Sequence, residues 1–177
     1  MLIREIKAIA SYDPVEEPNG YLISSYSQAS GQQPYTGERA YTKISSIVGM
    51  PTNEVYTNGY ITSIFIMNSS EPIFLLNLTQ FAKGYSTTNV VVHSEHTGKG
   101  FAVPTYIAVS KQYRVPLYSF GTHTPAGDRI WQTLAKQFPD RVIGVKTKTW
   151  ERIPYDQIQD GDVSTRAMLL PTSKTDK

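Results

Sequence analysis

A chain of 177 residues, 40% hydrophobic and 18% charged, is long enough to bury one core and is expected to form a single domain. It has no cysteine, which excludes disulfides and thiolate metal sites, and nothing in it resembles a signal peptide or membrane span, so a cytoplasmic location without membrane contact is the expectation. Residues 1–100 carry 6 Lys/Arg against 8 Asp/Glu and residues 101–177 carry 11 against 7, so the net charge of +2 is biased toward the C-terminal half; that suits an anionic ligand there but is too scattered to predict nucleic-acid binding.

Met1 to Ala10 alternates loosely and reads as a strand, with a short helix as the alternative. Asp13-Pro14 to Gly20 is a break. Tyr21, Leu22, Tyr26 and Ala29 then fall at near-helical spacing. Residues 31–59 are rich in Ser, Thr, Gln, Gly and Tyr and read as loop, with one short helix at Lys43–Val48, lying over a site or forming irregular surface. From Tyr60 the pattern sharpens. Ile61–Met67 and Ile73–Phe81 read as strands around the turn at residues 68–72, and Lys83-Gly84 turns the chain into a third strand ending in Val90-Val91-Val92. Short polar turns make these three an antiparallel meander.

The valine strand leads into the segment around which the rest is arranged. Polar residues and a Gly98-Lys99-Gly100 turn follow it, and from Phe101 the sequence is apolar for the length of a helix, with Pro104 in its first turn, where no backbone N–H is needed. Strand, glycine turn and helix together aim unpaired N–H groups and the positive end of a helix dipole at one point, which suits a phosphate. The Walker loop is excluded, because Lys99 is followed by Gly100 and Ser94 stands five before it. A helix of this length demands a parallel neighbour for the valine strand, placed at Val115–Phe120. Thr124-Pro125 opens another helix with Ile130, Leu134 and Phe138 on one face. Val142–Val145 is a further strand and Trp150–Tyr155 a candidate last one. Residues 161–177 read as a polar, mobile tail after a domain spanning 1–160.

The segment V-H-S-E-H-T-G-K-G-F-A resembles the acyl-CoA-binding motif of the GNAT superfamily of N-acetyltransferases, Q/R-x-x-G-x-G/A. Residues 97–102 match it at Gly100 and Ala102 and depart from it at Thr97. The resemblance covers residues 60–155. It implies an α+β fold: a mixed sheet whose antiparallel meander joins a parallel strand pair through a βαβ unit, with helices on both faces. It also implies that the valine strand and the strand at Val115 diverge, with an acetyl-CoA thioester between them. The backbone at Val91, Val92 and His93 would then pair with the pantetheine arm, and the turn at Thr97, Gly98, Lys99, Gly100, Phe101 and Ala102 would hold the diphosphate. The stretch Leu117–Leu134 is also similar to acyltransferase-like proteins of bacteriophages, which share a T-x-x-G-x-x-x-W element, here Thr124, Gly127 and Trp131.

Acyl transfer from a thioester to an amine needs a base, a donor to the carbonyl oxygen and a proton for the leaving sulfur. His93 and Glu95 are the candidate bases, and the resemblance implies that Ser119 sits where a polar residue often meets the cofactor. Trp131 occupies the position of the family's usual acidic tyrosine, and an indole cannot protonate a thiolate. The expected function is acyl-CoA-dependent N-acyltransfer to a small-molecule or protein amine. The alternative is an inactive relative that binds a protein partner, or a second copy of itself, through its tyrosine-rich N-terminal part. A zinc site at His93, His96 and His123 is disfavoured, since two of the three share one turn and no acidic second shell accompanies them. A nucleotide-binding protein sharing only the phosphate turn is a further alternative.

Overall fold

The computed structural model describes residues 18–33, 39–121, 124–158 and 163–172. Helix α1 (Pro18–Ala29) precedes the strands β1 (Thr42–Ile44), β2 (Asn53–Thr57), β3 (Ile61–Asn68), β4 (Glu71–Phe81) and β5 (Gly84–Val92). A turn of 3-10 helix at Ser94–His96 leads to α2 (Ala102–Tyr113), β6 (Leu117–Ser119), α3 (Pro125–Gln137), β7 (Val142–Lys146), β8 (Arg152–Ile153) and β9 (Thr165–Leu169). Among the described residues the strands form one mixed sheet in the order β1-β2-β3-β4-β5-β6-β9-β7-β8. Only β5 and β6 run parallel; every other pairing is antiparallel. No helix among these residues is long and apolar enough to cross a membrane.

The central strands are apolar on both sides because both sides are covered. On β4, Phe74, Leu76 and Leu78 enter the main core with Tyr106 and Val109 of α2 and Trp131 and Leu134 of α3. Leu75 points the other way, into a second core with Leu22 of α1, Phe65 and Tyr56. The two-residue period of a strand thus serves two helical layers. Tyr26, Tyr56 and Phe65 meet edge to face in that second core, with centroids 5.3–6.2 Å apart. Of the tyrosines in the N-terminal part, Tyr56 is buried in this core and Tyr21, Tyr26 and Tyr41 pack against it partly buried.

Three expectations are corrected. Lys43–Val48 is not helical: Thr42–Ile44 is an edge strand on β2, and Val55 and Tyr56 alternate between the two cores as a strand requires. The loop between them is tied by Asn53, whose amide accepts from Ile47 N (2.7 Å) and donates to Ile47 O (2.9 Å), which seats Ile47 in the main core. Trp150–Tyr155 contributes only two strand residues. Residues 161–177 are not simply a tail: Thr165–Leu169 is inserted between β6 and β7, with Ala167 and Leu169 in the main core and Met168 on the opposite face. The polar residues flanking this short apolar run obscure it in the sequence. The strand or helix expected at Met1–Ala10 lies outside the described residues, as does His123.

Candidate functional site

The site is created where two parallel strands part. β5 and β6 pair at Tyr85↔Leu117, Ser86↔Tyr118 and Thr87↔Ser119, and no further. The pairing begins at Gly84, where an added Cβ would lie 2.0 Å from the Pro116 carbonyl oxygen, so only glycine lets the strands meet there. It ends where β5 carries a bulge: Asn89 opposes Asn77 and Thr87 opposes Leu78, leaving Thr88 as the extra residue. A bulge bends and twists its strand, and β5 then continues to Val92 with its outer edge unpaired among the described residues.

That edge can be assigned group by group. His93 N–H donates to Ile73 O at 2.9 Å, so by the alternation of an antiparallel ladder Val91 and Asn89 also turn their hydrogen-bonding groups toward β4. The N–H and C=O of Val90 and Val92 therefore face the gap. Of the expected Val91, Val92 and His93, only Val92 turns its peptide groups toward the gap. The Val91 side chain belongs to the second core, on the opposite face, while Val90 and Val92 pack against the main one.

A cleft of about 540 Å³ opens beside this edge, within the range of small-molecule sites, roughly 300–1,000 Å³. Thr87 to Val90 and Val92 form one wall. The corner at Thr97, Gly98, Gly100, Phe101 and Ala102 forms the end, and the start of α3 at Thr124, Ala126 and Gly127 forms the other wall. Gly98 and Gly100 have φ of +78° and +77°, and an added Cβ at either would meet no heavy atom within 4 Å. The corner is therefore open as well as left-handed. The first turn of α2, at this corner, carries the N–H groups of Ala102 and Val103, which have no intrahelical partner, and Pro104 has no N–H to satisfy. Among the described residues no carboxylate lines the cleft, which keeps it hospitable to an anion. At α3, Thr124 Oγ1 accepts from Gly127 N–H at 3.2 Å, so that amide is already satisfied.

Val92, Thr97, Gly98, Gly100, Phe101, Ala102, Thr124 and Gly127 are thus brought together along one cleft. Val91, His93, Glu95, Lys99 and Ser119 do not form its wall. His93 Nδ1 accepts from Glu95 N–H at 3.3 Å and caps the exposed turn, and Lys99 Nζ lies 3.5 Å from His96 Nδ1. His93 is six residues beyond Thr87 along β5, roughly 20 Å at strand rise. Ser119 is buried, and its Oγ accepts from Ala167 N–H at 2.9 Å, fixing β9 to β6.

Tyr106 was not singled out from the sequence. It lies on α2, one turn after Ala102, buried at the floor of the cleft beside Thr87 and edge-on to Trp131 at 5.6 Å. Burial pushes its hydroxyl up to about 12, and the Thr87 hydroxyl offsets part of the shift. The helical spacing from Ala102 to Tyr106 marks the position, but an apolar helix face hides its role.

Among solved structures the chain is similar to a Bacteroides thetaiotaomicron protein assigned by description to the GNAT family of acetyltransferases. The TM-score is 0.40 at 12% identity, over 67% of this chain and 66% of that one. No family model matches the chain, and no curated protein matches it. At this distance an activity has to be argued from the cleft itself.

Proposed function

We propose that the protein is an N-acyltransferase that uses acetyl-CoA, or another short acyl-CoA, to acylate an amine. One observation carries the reading: β5 and β6 part after Thr87 and Ser119, and the opened edge runs straight to a bare glycine corner at a helix N-terminus. A strand edge accepts an extended amide-containing arm as an added strand would. The corner accepts a diphosphate, because Gly98 and Gly100 put no side chain over their amides and the helix dipole favours negative charge, while the Thr97 and Lys99 N–H groups already bond the Ser94 and His96 carbonyls.

Acyl-CoA, when bound, supplies an acyl carbon attached to a sulfur leaving group. The chain's own residues supply the rest. The peptide groups of Val90 and Val92 orient the arm, and Gly98, Gly100 and the first turn of α2 hold the diphosphate. Tyr106, protonated across the physiological range, donates its hydroxyl proton to the leaving sulfur at the vertex, the service Trp131 cannot perform, and the proton shed by the acylated nitrogen passes through solvent to restore the phenol. His93 and Glu95 stand at the diphosphate end, too far from the vertex to take a proton from an amine there.

Melting measurements test this reading. Acetyl-CoA at about 100 times its Kd stabilises the fold by about 2.7 kcal/mol, and free CoA gives a comparable shift. Gly100→Glu abolishes the shift, whereas Gly100→Ala, with the same left-handed backbone cost of about 1–2 kcal/mol and no charge, retains it. No shift with either ligand refutes the reading; a shift that survives Gly100→Glu moves the site elsewhere.

A further inference from the structure

On the face of the sheet opposite the cleft, behind the last rung of the β5–β6 pairing, sits a cation that meets no anion among the described residues. Arg166 of β9 shares its face with Met168 and Tyr118, while Ala167 and Leu169 enter the cleft-side core. Its Nη1 donates to Ser86 Oγ at 3.4 Å and to Ser119 O at 3.3 Å, and its guanidinium stands 4.1 Å over the Phe81 ring. Nε is buried with no hydrogen-bond partner. Among the described residues no carboxylate pairs with Arg166. Guanidinium stays charged in proteins, so this buried Nε–H lacks the acceptor that buried polar groups normally have.

The surroundings suggest what would supply it. The Nε–Nη2 edge of an arginine grips a carboxylate with two parallel hydrogen bonds. Beside it Phe81, Tyr118 and Trp150 form an aromatic wall with centroids 5.1–6.1 Å apart, and Trp150 is 47% exposed. Ser86 and Ser119, which Arg166 contacts, belong to the rungs that close the vertex. An acyl donor filling the cleft leaves the opposite face as the approach for an amine. We infer that the acceptor is a small amine that also bears a carboxylate, an amino acid in class, held by Arg166 with its side chain against the aromatic wall; the inference rests on the acyltransferase reading.

The test uses the full chain with acetyl-CoA, measuring thiol release with phenylalanine and glycine against phenethylamine and methylamine, the same amines without the carboxylate. The carboxylate-bearing member of each pair is expected to have a kcat/KM higher by about a hundredfold or more, since a site built to bond a polar group rejects the analogue lacking it. Arg166→Lys keeps the charge but loses the two-pronged geometry; it raises KM for the amino acids, narrows that ratio and leaves the acetyl-CoA melting shift intact. Equal or better turnover of the amines without a carboxylate overturns the inference, as does an unchanged ratio in Arg166→Lys. If acetyl-CoA stabilises the protein but neither amino acid binds or reacts, this inference fails while the acyl-CoA reading stands. Absence of the acetyl-CoA shift removes both.

Discussion

Tyr106 tests the cleft at the scale of one atom. Tyr106→Phe keeps the ring against Trp131 and removes only the hydroxyl, so the fold and acetyl-CoA affinity are expected to persist while kcat falls about a hundredfold, within the usual range for a general acid. Single-turnover thiol release measures it; an unchanged kcat removes Tyr106 from the chemistry. The glycine corner was legible in the sequence because Gly98 and Gly100 are needed for a backbone reason, which spacing alone reveals. Tyr106, buried among apolar residues, was not. Ser119 shows the reverse difficulty: a serine at a strand end looks available for catalysis until its hydroxyl is found accepting from Ala167 N–H.

Two contacts decide how the elements meet. Gly84 lets β5 pass against Pro116, and Tyr85 N–H bonds the Pro116 carbonyl at 3.1 Å to start the parallel pair. Gly84→Ala has no flexible neighbour to displace, and its expected cost is about 3 kcal/mol in urea unfolding. A cost near zero would mean that the strands are held together elsewhere. Glu54 ties α1 to the strand edge: Tyr26 and Tyr56 donate to its carboxylate, and Lys43 Nζ lies 3.0 Å away. The hydrogen bond from Tyr56, with those from Lys43 and Tyr26, holds the Glu54 carboxyl below its ordinary range despite partial burial. A depressed folded pKa contributes stability that is complete above the unfolded value of about 4.3 and is lost as pH falls through the lower folded one. Glu54→Gln is therefore expected to cost about 1–2 kcal/mol at neutral pH and to flatten the acid limb below about pH 4; an acid limb as steep as that of the unaltered chain would contradict this. The helix was readable from its spacing, but strands β1 and β2 were not, because β1 is a short exposed edge strand and β2 buries only Val55 and Tyr56, too short a run to show a pattern.

For the molecule as a whole, β9 is the strand that joins β6 to β7. Deleting residues 161–177 leaves β6 and β7 without the strand between them, so no cooperative melting is expected; Leu169→Ala, at a fully buried position, is expected to cost about 3 kcal/mol. A truncated chain that melts cooperatively would show that the sheet closes without β9. The sequence by itself determined the local features: the meander from residue 61, the glycine corner, the crossover helix and the capped start of α3. Each depends on neighbours a few residues apart, whose propensities and caps act within the segment. Only the tertiary structure decided where the parallel strands part, which peptide groups face the gap, and that a distant strand places Arg166 behind the vertex. Those outcomes depend on register and pairing between residues 30 to 80 positions apart, and no local preference encodes which partner a strand edge will find.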